Sequence, residues 1–399
     1  MNILYVVDQF PKVSESFVIN EIHELDQRGH NVSVFRIDQQ TEEITHDEVD
    51  DLDIPEYDAE DISFRSFPDL FSKYILNTTI LPKVIFKDHP IYHAWCLHLG
   101  KQIIETIEYE GDIDLIHAHF ATENRLAVTY ASAYHNVPCT VTAHAHEIFS
   151  PPSLERLQRV CSRFDHIMVP SEYNKRYLSE EIAVDTEMTV VPATMSVDKF
   201  EPSEGCVPGR LLTVARLVEK KGHEYAIDAV AELVEQDYDL TYHIVGTGER
   251  KESLQKRAYE RGVEDHVEFL GRISDEKLKS ELHEAEIFVL PCVIASNGDR
   301  DVTPVALREA MATQTTCVST SISAIPEMIT DGYDGILVEP NNSTALASAI
   351  SSLLDNPSRR KEIAANGRET VKNKFDISQS VDQLVRTFRL HIHSDSNRS

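Results

Sequence analysis

Short apolar runs, each followed by a stretch with helical spacing of apolar residues, recur along nearly the whole chain and constrain its fold more than any other feature. Asn2-Ile-Leu-Tyr-Val-Val7 opens the series, and Val32–Ile37, Leu115–Ala118, Cys139–Ala143 and His166–Val169 continue it. Strands buried on both faces read as near-continuous apolar runs, and strands alternating with helices pair in parallel with helices on both faces of the sheet. An α/β class follows. At 399 residues the chain is long for one such domain and comfortable for two, each with its own core. The stretch from Lys199 to Gly209 gathers proline, glycine and charge and reads as the linker. The expected domains are 1–200 and 201–375, followed by a helix from Ser378 to His391 and a short polar tail, Ser394 to Ser399, that is expected to be disordered.

The charge excludes one class of partner. A net charge of −29 opposes nucleic acid, whose binding rests on basic surfaces that neutralise phosphate. Arginines outnumber lysines, and acids are dense around Asp53. This pattern suits a cell that accumulates molar salt, where screening shortens repulsion to about 3 Å at 1 M. The six cysteines show no paired metal-ligand spacing and read as reduced core thiols. The N-terminus reads as a buried strand rather than a signal peptide, and no run is apolar enough to span a bilayer, so a cytoplasmic protein is expected. One basic, aromatic island, 70–101 with Lys73, Lys83, Lys87 and Lys101, suits either peripheral membrane contact and a lipid-phosphate acceptor, or helices packed on the first sheet.

Chemistry concentrates in the second half. In Gly298-Asp-Arg-Asp-Val-Thr-Pro-Val-Ala-Leu-Arg-Glu-Ala-Met-Ala312 a polar loop leads into a helix, with Asp301 in the loop and Glu309 a turn or two into the helix. Two carboxylates so placed accept hydrogen bonds from hydroxyls, while the helix N-terminus favours an anion. A sugar joined to a phosphate satisfies both demands. A strand from Leu211 ends in Arg216 and then Lys221-Gly222, cations suited to a diphosphate. The strand Tyr242-His-Ile-Val-Gly-Thr-Gly-Glu249 ends in Gly246 and Gly248, where small residues admit close backbone approach. In the first half, His117 and His119 share a strand face, and His144 and His146 repeat the spacing, with Glu123 and Glu147 as the nearby acids.

Taken in order, Ala215–Gly222, Val245–Glu249, Val267–Gly271, Ile287–Pro291, the carboxylate loop and Ile325–Val338 resemble the nucleotide-sugar domain of retaining glycosyltransferases of family 4. Phe10-Pro-Lys-Val-Ser-Glu-Ser-Phe17 and Asp114-Leu-Ile-His-Ala-His-Phe120 resemble the exopolysaccharide branch of that family, which includes transferases of the colanic-acid type. The resemblance implies a GT-B fold: two Rossmann-like parallel-sheet domains, with the C-terminal helix (376–391) crossing back to the first. It also implies a metal-independent hexosyltransferase-type enzyme without a cofactor, taking a UDP- or GDP-linked donor sugar and a glycan or lipid-linked acceptor. Arg216 and Lys221 would stabilise the departing diphosphate, Glu309 hold the ribose and Asp301 the sugar hydroxyls, while His144 lines the donor sugar's pocket. Gly246, Gly248, Phe269, Arg272, Thr303, Pro304 and Val305 would line the rest of the donor site. A zinc site at the histidines is the less favoured reading. Val302 stands where the family has glycine, which restricts backbone torsion near the sugar, and Gln314 to Thr316 replaces a Gly-x-Pro turn. Beside the enzyme stand two alternatives, a catalytically weak scaffold protein that binds nucleotide sugar and an epimerase acting on one.

Overall fold

The computed structural model describes residues 1–12, 15–38, 49, 51–61, 90–193, 195–202 and 205–395. Lys73, Lys83, Lys87 and, from the acidic run ending at Asp53, Asp47, Glu48 and Asp50 lie outside these residues. The chain forms two compact units, Met1–Thr194 with Ser380–Ser399, and Met195–Gln379. The division falls at Met195 because Met195, Val197 and Phe200 are buried in the core of the second unit. The residues that read as the start of a linker are therefore held by packing.

The first unit carries a seven-stranded parallel sheet in the order β3-β2-β1-β4-β5-β6-β7. Its strands are β1 Asn2–Val7, β2 Asn31–Arg36, β3 Glu56–Asp58, β4 Leu115–His119, β5 Cys139–Thr142, β6 His166–Val169 and β7 Met188–Val190. Ile3 to Val7 of β1 are wholly buried, as a strand covered on both faces requires. Helices α1 (Ser16–Gln27), α2 (Pro90–Glu110), α3 (Leu126–His135), α4 (Ala145–Phe149), α5 (Leu154–Cys161) and α6 (Glu172–Arg176) connect the strands. Helix starts are set by sequence: Ser153 accepts from Arg156 N–H at 3.4 Å, and Ser171 from Asn174 N–H at 3.1 Å. The described part of the basic island is a core helix. In α2, Cys96, Leu97, Leu99, Ile103 and Ile107 are buried, and a side chain on Gly100 would meet the Ala127 carbonyl of α3 at 3.2 Å. Lys101 pairs with Glu105 at 3.0 Å.

The second unit carries a six-stranded parallel sheet in the order β10-β9-β8-β11-β12-β13. Its strands are β8 Arg210–Val214, β9 Thr241–Val245, β10 Val267–Gly271, β11 Ile287–Leu290, β12 Thr316–Thr320 and β13 Ile336–Val338. Its helices are α7 (His223–Val234), α8 (Lys251–Glu260), α9 (Asp275–Glu284), α10 (Val305–Ala312), α11 (Ile325–Met328), α12 (Ser343–Leu354) and α13 (Pro357–Lys374). Asn342 and Asn356 cap α12 and α13, the second followed by proline at the first helical position. The last helix, α14 (Ile377–Asp395), runs past the expected end at His391, and from Ser380 onward it belongs to the first unit. Val381, Leu384, Val385 and Phe388, spaced as one helical face, are buried there, and Arg28 pairs with Asp382 at 2.5 Å. Among the described residues no helix is long and apolar enough to cross a membrane.

Both sheets reverse their strand order once. In the first unit β1 leads outward to β2 and β3, and the chain then returns to the other side of β1 as β4. The second unit repeats this with β8, β9, β10 and then β11. In open parallel sheets ligands bind outside the carboxyl ends of the strands at such a reversal, where neighbouring connections diverge and leave a crevice.

Candidate functional site

At the reversal of the second unit the loops after β8 and β11 meet residue by residue. After Val214 the chain continues to pair beyond its strand, with Ala215 N–H donating to the Val245 carbonyl and Leu217 N–H to that of Thr247, both at 2.9 Å. It then makes one 3-10 turn, Glu219–Lys221, ended by Gly222 at φ 66°. A side chain on Gly222 would lie 1.9 Å from the Pro291 carbonyl oxygen, so only glycine lets the two loops close. All three residues of the turn bind the loop opposite. Glu219 accepts from the Ser296 amide at 3.0 Å and the Ser296 hydroxyl at 2.8 Å. Lys220 reaches Asp299 at 3.1 Å and Asp301 at 3.7 Å, and Lys221 reaches Asp301 at 2.6 Å.

Burial by itself would raise the Asp301 pKa, but Lys221 and Lys220 outweigh it and hold the carboxyl below its usual range. Burial would likewise lower Lys221, but Asp301 and then Cys292 raise it. The pair is fully ionised near neutrality. The Cys292 thiol, pushed well up by burial and by Asp301, stays protonated and donates to Asp301 at 3.4 Å. Such a partly desolvated pair is weak evidence for stability, because desolvation offsets most of the attraction. What it supplies is fixed charge of both signs in a crevice where neither needs to reorganise.

The other residues expected at a donor site in this half of the chain belong to the same unit. Arg216 is exposed, and its carbonyl accepts from His223 Nε2 at 3.0 Å, which fixes the loop. Glu309 lies in the second turn of α10, after Thr303, the N-cap Pro304 and Val305, the first helical residue. Phe269 packs partly buried against the core, and Arg272 follows Gly271, whose carbonyl accepts from Gly246 N–H at 2.8 Å. The two glycines have a packing role. A side chain on Gly246 would come within 2.0 Å of the Ala215 carbonyl oxygen, and one on Gly248 within 2.4 Å of that of Leu217. They are small because the β8 and β9 loops pack on each other, and a close approach by a ligand is not needed to explain them.

The two departures at the loop and helix resolve structurally. Val302 does not adopt a positive φ and is 3 % exposed, so its side chain is part of the core rather than an obstacle in the loop. Gln314 takes the left-handed turn at φ 58°, with Gln314 N–H donating to Met311 O at 3.1 Å and Thr315 N–H to Ala310 O at 2.9 Å. This is the paired helix stop that glycine usually supplies. The hydroxyls of Thr313 and Thr315, bonded to Ala310 and Leu282 carbonyls, hold it in place.

At the reversal of the first unit the cluster is of another kind. His119 ends β4, His144 follows β5, and Glu21 comes from α1, the helix after β1. Glu21 accepts from the Tyr5 hydroxyl at 2.7 Å and meets His119 Nε2 at 3.2 Å. His119 Nδ1 in turn meets His144 Nε2 at 3.0 Å, with the two rings stacked at 16°. His117 bonds the hydroxyls of Thr140 and Thr142 at 2.8 and 3.1 Å. Burial, then the neighbouring histidines, holds His117 and His144 well below the usual histidine range, so both are neutral.

The acids expected beside these histidines do other work. Glu147 accepts from the His144 and Ala121 amides at 2.6 and 3.1 Å, while Glu123 pairs with Arg156. Glu21 is the acid that counts, and sequence reasoning missed it. Its signal was a carboxylate inside the apolar stripe Val18, Ile19, Ile22, Leu25, where burial demands a partner. Lys220 and Asp299 were missed too, although Glu-Lys-Lys and Asp-Arg-Asp are complementary in charge. Glu21, His117 and His119 bring ligand-type atoms within 4.8 Å of one another, the one group among the described residues that could hold a metal ion. Their nitrogens are already engaged by hydroxyls, a carboxylate and a ring, which satisfies them without an ion. His146 is exposed.

Comparison with known proteins agrees with this geometry. The family model "Glycosyltransferase Family 4" matches residues 14–199, and "Glycosyl transferases group 1" matches 206–370. The colanic acid biosynthesis glycosyltransferase WcaL of Salmonella typhimurium is 25 % identical over 97 % of this chain and 100 % of its own. AmsK, the amylovoran biosynthesis glycosyltransferase of Erwinia amylovora, is 36 % identical over 45 % of this chain and 44 % of its own. Among solved structures, Anabaena HepE in complex with UDP and glucose aligns over 98 % of this chain and 99 % of its own, at a TM-score of 0.74 and 18 % identity. A glycosyltransferase from Rickettsia africae aligns over 98 % of both chains at 0.73 and 18 %. With a family model on each unit, a relative matched along its whole length and the GT-B architecture in both sheets, the chain belongs to glycosyltransferase family 4 and is a hexosyltransferase-type enzyme.

Proposed function

We propose that the chain is a retaining, metal-independent glycosyltransferase. It moves a sugar from a nucleoside-diphosphate sugar to a glycan or lipid-linked acceptor in the assembly of surface polysaccharide, glycolipid or protein glycan. The observation that carries this reading is the salt-bridged cluster of Lys220, Lys221, Asp299 and Asp301 at the strand-order reversal of the second unit. Cleavage of a glycosyl phosphate bond puts positive charge on the sugar and negative charge on the departing diphosphate. Lys221 and Arg216 would take the diphosphate, which competes with Asp301 for the ammonium group. Asp301, released in part, would accept from sugar hydroxyls, and Glu309 from the ribose. Positive charge from lysine and arginine serves where a metal ion would otherwise be needed. The buried Val302 weakens the scaffold alternative, since the feature that favoured it is part of the core.

The test is thermal melting in molar potassium chloride with UDP, GDP and their common sugar conjugates, with Lys221→Ala in parallel. Ligand at one hundred times its dissociation constant stabilises by about 2.7 kcal/mol. A shift confined to one nucleotide and absent in Lys221→Ala supports the assignment. Equal shifts in wild type and variant would place the diphosphate elsewhere. Transfer unaffected by a chelator is the expected outcome for metal independence.

A further inference from the structure

We infer that Glu21 is a positioning residue for sugar transfer, acting through His119 to fix the ring orientation and tautomer of His144. The inference rests on the reading of His144 as a residue of the sugar pocket. Its geometry stands independently of that reading. The Glu21 Oε1 atom is a pure acceptor when ionised and takes the Tyr5 hydroxyl at 2.7 Å, so the His119 Nε2 atom facing it at 3.2 Å must carry hydrogen. In the neutral ring His119 Nδ1 is then a lone pair, and the 3.0 Å contact requires hydrogen on His144 Nε2. His144 Nδ1 is left as an acceptor, turned toward the first turn of α4, where Glu147 returns the cap by accepting from the His144 amide at 2.6 Å. The tautomer is therefore specified by the His119 contact.

Burial sets two members of this relay apart from the third. Glu21 is 5 % exposed and His119 1 %, whereas His144 is only partly buried and is the member that a ligand at the carboxyl edge of the sheet can meet. Phe17 and Phe120 flank the His144 ring at 4.7 and 4.5 Å between centroids and prevent it from turning. A neutral ring held in one orientation suits sugar transfer. An imidazolium there would oppose the positive charge that builds on the sugar, and a rotating ring would forfeit the fixed geometry on which rate depends. Precedent from hydrolytic triads shows that a buried carboxylate sets a histidine tautomer without itself exchanging a proton.

The experiment uses the full chain labelled with ¹⁵N histidine and reads ring tautomers by two-bond proton–nitrogen correlation. It is paired with transfer kinetics on whichever donor stabilises the protein. Wild type should show His144 with hydrogen on Nε2. Glu21→Leu should redistribute that tautomer and lower kcat at least tenfold, while Glu21→Gln, which keeps an acceptor oxygen, should restore both. If Glu21→Leu does not fold, His119→Phe, which keeps a stacked ring and removes the acceptor, must produce the same redistribution. An unchanged His144 tautomer in folded Glu21→Leu or His119→Phe would overturn the inference, as would stoichiometric zinc in the purified protein, which would make His119 Nε2 a ligand. If no donor binds at all, the proposed function fails while the tautomer measurement still decides the role of Glu21.

Discussion

The two strand-order reversals share one topology and carry opposite electrostatics. In the second unit two lysines and two aspartates are joined by three salt bridges, Lys220 to Asp299 and Asp301 and Lys221 to Asp301. In the first, a single carboxylate, Glu21, organises a stack in which His117 and His144 are neutral. The difference teaches that the parallel sheet decides where a site forms, since connections diverge only at the reversal, while the side chains on the flanking loops decide what it does. Fixed charges suit a departing diphosphate, and a neutral hydrogen-bonded ring suits a sugar that becomes cationic.

Four experiments press on this contrast. The largest effect is expected from Lys221→Ala, which leaves Asp301 with a weakened counter-charge and removes the cation proposed for the diphosphate. Transfer at saturating donor should fall at least a hundredfold, in line with the loss of one strong electrostatic donor, about 3 to 4 kcal/mol. A loss of only a few-fold would end the idea that the charged cluster is the donor site.

Acid should separate the units next. In the first unit burial, then His391, holds His166 down at about 4, and His117 and His144 are also depressed, whereas in the second unit His223 is depressed to about 4, chiefly by burial. For a base depressed by folding, the unfolded chain takes up protons first. Stability is therefore lost as pH falls below the ordinary histidine value of about 6.5, by up to roughly 1.4 kcal/mol per group per pH unit. Asp301, whose pKa is also lowered, loses its contribution only as pH falls below the ordinary carboxylate range. Limited proteolysis at pH 7.5 and 5.5 should therefore show the first cuts appearing within residues 1–194. Cuts confined to 195–379 would contradict the contrast in histidine burial.

Val302→Gly tests whether the loop of the charged site is set by packing. Removing a 3 % exposed side chain and adding glycine freedom should cost about 2 kcal/mol without raising turnover. A large gain in turnover would show that valine restrains the loop against catalysis. The smallest effect is expected at Gln314. A non-glycine residue at φ 58° carries strain that glycine relieves, so Gln314→Gly should raise stability by about 1 kcal/mol or less. Unchanged or lower melting would mean that the threonine hydroxyls already compensate for the strain.

The sequence by itself determined the α/β class, the parallel strands and the motifs at their ends, because a strand buried on both faces has to be apolar throughout. Asn2–Val7 and His166–Val169 are legible for this reason. Arg216, Lys221, Asp301 and Glu309 were legible as charged residues clustered at a strand end and around a helix start. Only the tertiary structure decided that Lys221 faces Asp301, that Lys220 and Asp299 join them, and that Gly246 and Gly248 serve loop packing. The same holds for Glu21, which lies 96 positions from His117 and 98 from His119 in the sequence and within 3.8 and 3.2 Å of them in space. Periodicity reports which face of an element is buried. It carries no record of which other face it is buried against, and side chains from different elements meet only once the order of strands in the sheet is fixed.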